Sequence, residues 1–280
     1  MLPTEGNPRM FIKLNNLITS FPQKQKKSPM TRSIGWLVHH TDKLIIKASG
    51  GAPTIRLKFY TYPPYRQTIT TPQPPHGCSL RTKGLNTYYL YQGHVPTRGT
   101  LSLERTIAVT PQPQQPPHDY GTIHDIPTDF SKKYKQSHPY WPTNSKAIQD
   151  LAAQHWFSTD DLRHWLLDVS QIIPNIIHQP SPQEKRWGAE AVIQTGIGDC
   201  DEFTDLFITL ARLRGIPSRR LTGYFIHTNT TTPEPHAWAE CYTPTVGWIP
   251  VDLAQHNIGH HTHNYLVQKI EEFNPDLRDF

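Results

Sequence analysis

The sequence predicts an α+β protein in which a small all-β domain precedes a helix packed on an antiparallel sheet. Three observations carry this. Residues 31–110 hold short runs of alternating apolar and polar residues, the period of half-buried strands. Residues 144–214 switch to helical spacing. Residues 219–252 return to β-type runs separated by turn residues, with no helices between them to make parallel crossovers.

Taken in order, residues 1–30 are rich in Pro, Gln and Lys and are expected to form a disordered tail. The β-rich domain spans 31–110, with strands expected at Ile34–Val38, Lys43–Lys47, Thr54–Tyr60, Asn86–Tyr91 and Thr100–Val109. Residues 111–118, Pro-Gln-Pro-Gln-Gln-Pro-Pro-His, form a stiff extended linker, read as a spacer in preference to an SH3-type ligand. The remaining domain covers 119–280. Asn144 or Ser145 can cap a helix from Lys146 to Trp156. Thr159, Asp160 and Asp161 open a second, with Leu162, Trp165, Leu166 and Val169 on one face and Pro174 as its stop. Ala189–Gln194 is a short helix or turn, and Tyr265–Ile270 a final segment.

The most informative stretch is Gly196–Asp252. Gly196 and Gly198 bracket a turn, and Asp199 is a good N-cap type. Phe203, Leu206, Phe207, Leu210 and Leu213 then recur with helical spacing. Arg212 and Arg214 lie in the last turn, Gly215 follows, and Pro217 prevents continuation. Cys200 therefore stands at a helix N-terminus, where the dipole favours a thiolate and free N–H groups can hold a developing oxyanion. After a strand at Arg219–Ile226, the run His236–Tyr242 puts His236, Trp238, Glu240 and Tyr242 on one face and Ala237, Ala239 and Cys241 on the other. Gly247–Asp252 is the next strand. A hairpin of a strand with His at its end beside a strand ending in Asp can bring Asp252 to one ring nitrogen of His236 while the other faces Cys200. That is the arrangement of nucleophile, base and orienting carboxylate.

Four linked motifs, G-x-G-D-C-D-E, A-R-x-x-G-I-P-S-R followed by G-Y, H-A-W-A-E-C-Y and G-W-I-P-V-D, resemble the transglutaminase-like core of the papain-like cysteine enzymes over residues 144–252. The resemblance implies Cys200 as nucleophile, His236 as general base and acid, and Asp252 as orienter. Where the usual pattern ends D-P-T, this chain has Asp252-Leu-Ala, a change past the catalytic position. Gln194, six positions before Cys200, occupies the offset of the papain-type oxyanion-hole glutamine. Trp187, Tyr224 and Trp238 can line an acyl site or belong to the core. The resemblance implies cleavage or transfer of a peptide or protein amide through an acyl-thioester, with hydrolysis preferred. Glutamine acyl transfer and a non-enzymatic scaffold with a vestigial core are the alternatives.

Composition bounds the remaining classes. Cys78, Cys200 and Cys241 are an odd, sparse set, which fits a reducing, cytoplasmic setting and leaves Cys78 and Cys241 inert. No apolar run reaches the roughly 18 residues of a membrane span, and no secretory signal is expected. The net charge of +5 comes with no nucleic-acid-binding motif and is read as scattered solvated lysines. His256, His260, His261 and His263 have loose spacing with no carboxylate or cysteine set beside them, so a solvated loop is preferred to a metal site and no cofactor is expected. Gly196-x-Gly198 lacks the following Lys-Ser/Thr of a nucleotide loop.

Overall fold

A computed structural model describes residues 10–24, 34–48, 52, 54–70, 74–96, 100–155, 159–181, 186–227 and 232–273. The chain divides into two compact units. Unit 1 is Met1–Gln112 with Phe225–Glu234 and His263–Lys269, and unit 2 is Pro113–Tyr224 with Pro235–Thr262 and Ile270–Phe280. The β unit therefore includes two segments that follow the core of the second unit in sequence.

Unit 1 is all-β. Its first sheet has the order β1-β2-β7-β4, from β1 (Met10–Lys24), β2 (Ile34–Ala48), β4 (Gln67–Thr70) and β7 (Thr100–Pro111). The second, β3-β6-β5, comprises β3 (Thr54–Thr61), β5 (Cys78–Lys83) and β6 (Asn86–His94). Ile46 of β2, Ile55 of β3 and Val95 form a buried cluster, with Leu57, Tyr91 and Leu101 packed on it. Apolar side chains of the two sheets thus share an interior, as in a sandwich.

Two expectations change here. Met10–Lys24, expected within a disordered tail, is a strand paired antiparallel with β2 from Met10↔Ala48 to Lys24↔Ile34. Met10, Ile12 and Leu14 do alternate, but Asn15 and Asn16 interrupt the pattern, and the ladder to a partner strand stabilises what local propensity does not. The segments Ile34–Val38 and Lys43–Lys47, expected as separate strands, are one strand, β2.

Unit 2 carries α1 (Thr128–Tyr134), α2 (Lys146–Gln154), α3 (Leu162–Ile176), α4 (Ala189–Thr195) and α5 (Cys200–Arg214). The expected end of α2 at Trp156 lies outside the described residues. Two-residue strands β8 (Gln179–Pro180) and β9 (Ile197–Gly198) pair in parallel and hold the approach to α5. Pro174 does not stop α3, which runs on to Ile176. A proline this close to a C-terminus removes one hydrogen bond from a turn that is ending anyway, and Ile177 N–H still bonds Ile173 O at 3.0 Å. α5 ends as the sequence predicts: Gly215 adopts φ 92°, and Ile216 N–H returns to Ala211 O at 2.8 Å.

Then come β10 (Ser218–Phe225), β11 (Glu234–Thr243), β12 (Gly247–Asp252) and β13 (Asn257–Ile258), hydrogen-bonded in the order β13-β12-β11-β10. Last is β14 (Tyr265–Glu271). The core lies between α5 and this sheet. Leu206, Phe207, Leu210 and Ala211 of α5 share one buried cluster with Ala239 and Cys241 of β11 and Ile249 and Val251 of β12. Each such large side chain contributes about 1.5–3 kcal/mol on burial. The 111–118 segment is tied to this unit at Gln114, whose N–H and C=O both pair with His261 at 2.7 and 3.0 Å.

The sheet face opposite α5 buries a charged pair. Arg219 of β10 donates from Nε and Nη2 to Glu240 Oε2 of β11 at 2.9 and 2.7 Å, with both side chains at most 2% exposed. A buried pair of this kind is costly to break, because the survivor keeps its charge in a dry setting. Arg219→Met is expected to lower unfolding free energy by about 3–5 kcal/mol, read by urea denaturation. A loss under about 1 kcal/mol would show that Glu240 is already compensated by its other neighbours.

Candidate active site

The site begins at the α5 N-terminus. Asp199 accepts from the Asp201 N–H at 2.9 Å and from the Glu202 N–H, while Glu202 Oε2 reaches back to the Asp199 N–H at 3.1 Å. This reciprocal capping box fixes the first turn. The other oxygen of Glu202 accepts from the Trp187 N–H at 2.7 Å, so one carboxyl group ties the helix start to the segment before α4. Glu202 is buried at 1% exposure. Burial pushes its pKa up to about 7, with the two backbone N–H donors opposing and Asp199 and Asp201 adding to the rise. Glu202 is a site residue beyond those expected from the sequence, and its signal there is the D-x-x-E spacing of a capping box.

Both glycines of the motif are dictated by space. A Cβ on Gly196, which has φ 67°, would sit 2.0 Å from His178 Cε1, and one on Gly198 would sit 2.6 Å from Glu202 Cβ. Cys200 follows as the first helical residue and is half-buried. Since the cap oxygens take the N–H groups of Asp201 and Glu202, the Cys200 N–H is left with no hydrogen bond among the described residues.

The second half of the site comes from the sheet. The β11–β12 register runs Ala239↔Val251 to Thr243↔Gly247, which makes His236 a diagonal neighbour of Asp252 past the last pair. His236 Nε2 and Asp252 Oδ2 are 2.7 Å apart, with side chains 7% and 2% exposed. The remaining nitrogen, Nδ1, serves the hydrogen bond to Cys200. Asp252 Oδ1 accepts from Gln255 N–H at 3.2 Å and caps the short 3-10 turn Leu253–Gln255, so the carboxylate is fixed at both oxygens. Trp238 is fully buried and stacks on the His236 ring, with centroids 5.9 Å apart and planes at 17°. Burial disfavours the imidazolium, but hydrogen bonds to Asp252 and Cys200 and the charges of both outweigh it, and the His236 pKa is pushed up to about 9.

Three acidic residues, Asp201, Glu202 and Asp205, lie in the first two turns of α5, and arginines answer two of them. Arg220 binds Asp201, and its Nη1 lies 3.0 Å from Glu271 Oε2. Arg186 forms a bidentate pair with Asp205 at 2.7 and 2.6 Å, while Trp141 Nε1 donates to the same carboxylate at 2.7 Å.

Of the expected site residues, the structure brings Cys200, His236 and Asp252 together, with Trp238 against the histidine. Trp187 is half-buried and linked to the site through its backbone. Tyr224 is a buried residue of β10. Gln194 is different: it is exposed on α4, and no described hydrogen bond joins it to Cys200. The six-residue offset puts it on the outer side of a short helix because Gly196 and β9 turn the chain between the two positions. Cys241 is fully buried in the core, and burial raises its thiol far above the ordinary range. His261 departs from the solvated loop expected of 256–263, being 1% exposed, whereas His256 and His260 are exposed. No group of three or more metal-ligating side chains occurs among the described residues.

Two outcomes follow from this geometry. Because the folded His236 pKa lies above the ordinary 6.5, the folded state favours its protonated form. The resulting stability is complete below about pH 6.5 and is lost as pH rises through about 9. The stability advantage of wild type over His236→Ala should shrink by roughly 3 kcal/mol between about pH 6 and about pH 10, measured by urea unfolding. A pH-independent difference would mean no linked proton. Gly198→Ala, which drives a methyl group into Glu202, should slow iodoacetamide labelling of Cys200 at least about tenfold, a displacement effect of the kind a misplaced site suffers. Unchanged labelling would show that the turn yields without moving the helix start.

Comparison with known proteins agrees with the architecture. Residues 159–253 match the family model of the transglutaminase-like superfamily. No curated protein matches the chain. A solved structure from Cytophaga hutchinsonii, described as a candidate cysteine protease, superposes with a TM-score of 0.58 at 18% identity, covering 91% of this chain and 84% of that one, which establishes a shared fold. The periplasmic domain of TgpA from Pseudomonas aeruginosa, bound to ethylmercury, gives a TM-score of 0.40 at 13% identity over 88% of this chain and 90% of that one. The fold and the family match agree: the segment 159–253 is similar to the transglutaminase-like core, and the chain shares its fold with a solved structure of that architecture.

Proposed function

We propose that the protein is a cysteine-nucleophile enzyme that cleaves peptide or isopeptide amide bonds through an acyl-thioester. The observation that supports it is the His236 imidazole held between Asp252, at 2.7 Å, and Cys200 at a helix N-terminus. In this reading the Cys200 thiolate attacks the carbonyl carbon, forming the C–S bond and a tetrahedral oxyanion. In this reading the N–H of Cys200 donates to that oxyanion. Collapse of the intermediate breaks the C–N bond, and protonated His236 gives its Nδ1 proton to the departing amine. Asp252 stays ionised, keeps the ring oriented through Nε2 and stabilises its charge. Water, deprotonated by the now neutral His236, then attacks the thioester and releases the acid. The half-exposure of Cys200 favours water as that acceptor, since a thioester there is open to solvent.

The test incubates the protein with a library of protein-derived peptides in heavy-oxygen water, with and without added methylamine, and reads products by mass spectrometry. Hydrolysis predicts new carboxylates carrying the heavy label, with Cys200→Ala slower by at least about a thousandfold. Methylamine adducts in place of carboxylates would turn the assignment to acyl transfer. No product of either kind, together with Cys200 labelling no faster than Cys78, would remove the enzymatic reading.

A further inference from the structure

Between Asp42 and Glu104 the sequence has eight lysines and arginines and not one aspartate or glutamate. The fold gathers part of this excess onto one surface. In the sheet β3-β6-β5 the register pairs Tyr60 with Tyr88 and Tyr88 with Arg81, Lys58 with Leu90, and Arg56 with Gln92. Arg56, Lys58 and Tyr60 of β3 therefore share a face with Tyr88 of β6 and with Arg81 and Lys83 of β5. The opposite face, through Ile55, Leu57 and Tyr91, packs inward on β2 and β7. The cationic face is consequently the outside of the sandwich, and Arg56, Lys58, Arg81 and Lys83 are all exposed. Arg56, Arg81 and Lys83 have no ion pair among the described residues, and the three strands hold no carboxylate that could supply one.

We propose that this outer face docks an acidic, extended segment of a protein partner. Cations two residues apart on one strand, Arg56 with Lys58 and Arg81 with Lys83, are spaced about 6.6 Å apart, which is also the spacing of alternate side chains in an extended acidic peptide. Like charges massed on one face attract an oppositely charged partner at long range, an attraction that weakens with salt.

The tyrosines distinguish carboxylates from nucleobases. A single-stranded nucleic acid would need open ring faces for stacking. Here Lys58 Nζ bonds Tyr60 Oη at 2.6 Å and lies 4.5 and 4.7 Å from the centroids of Tyr60 and Tyr88, while Lys269 lies 4.9 Å from that of Tyr60. The two rings meet edge to face at 6.2 Å. Ammonium groups thus occupy the ring faces and the cations stay in front of them, a surface that offers charge without a stacking platform.

The test uses the full chain carrying Cys200→Ala, so that binding is read without turnover and independently of any activity at Cys200. Fluorescein-labelled poly-L-glutamate is titrated by anisotropy at about 50 and about 500 mM NaCl. The proposal expects binding that weakens at least tenfold at the higher salt and at least tenfold in the triple variant Arg56→Glu, Arg81→Glu, Lys83→Glu at the lower. Thermal unfolding controls for the fold. If that variant unfolds, the milder pair Arg56→Gln and Arg81→Gln should still lose affinity at least threefold. Equal binding by folded variants and wild type overturns the proposal. So does tighter binding of a single-stranded oligonucleotide that disappears in Tyr60→Ala or Tyr88→Ala, since the face would then be a stacking surface.

Discussion

The carboxyl group of Glu202 is the constraint on which the arrangement around Cys200 depends. One of its oxygens closes the capping box on Asp199 and the other holds the Trp187 N–H, so two stretches that flank α4 are fixed relative to the first turn of α5. The packing of Gly198 against its Cβ removes the slack a side chain would need. Burial of the acid is offset by two N–H donors, each hydrogen bond to a charged group contributing about 1.5–3 kcal/mol. The cap also decides which amide is left over. Two of the first three helical N–H groups are taken by Asp199, and the one at Cys200 is spared.

The histidine arrives by a different mechanism, strand register. A one-residue slip between β11 and β12 would turn His236 to the opposite face and carry it away from Asp252. The apolar inner positions prevent this, because Ala239, Cys241, Ile249 and Val251 would all leave the core at once. The geometry of the His–Asp hydrogen bond is thus enforced by hydrophobic burial on the other side of the sheet. The stacked Trp238 restricts rotation of the ring, and the Gln255 N–H restricts the carboxylate.

Much of this was legible in the residues themselves. The α5 boundaries follow from Asp199, the Phe203–Leu213 periodicity and Gly215, all local signals that tertiary packing reinforces. The outward and inward faces of β11 follow from alternation alone. Gln194 misled because an offset in sequence carries no direction once a glycine with positive φ turns the chain. β1 departs from the expected tail because pairing over its whole length with β2 sustains a strand whose apolar run Lys13, Asn15 and Asn16 break. The cationic sheet face was hidden for a related reason. Arg56, Lys58, Arg81 and Lys83 look scattered along the chain, and only the β3-β6-β5 register makes them neighbours.

The same register logic separates two ways of handling charge in this protein. Around α5 the acidic residues Asp201 and Asp205 would by themselves oppose a negative sulfur nearby. Each is bound by an arginine, Arg220 or Arg186, and Glu202 is shifted toward its neutral form by burial. With those charges answered, the positive end of the helix and the His236 imidazolium act on Cys200 with less opposition. Arg220 also contacts Glu271, so the last strand contributes to that neutralisation. On the outer face of β3-β6-β5 the opposite holds, and Arg56, Arg81 and Lys83 have no carboxylate partner among the described residues. A charge that is neutralised inside the fold serves geometry. One left unanswered in solvent costs little there and remains free to be answered by something else.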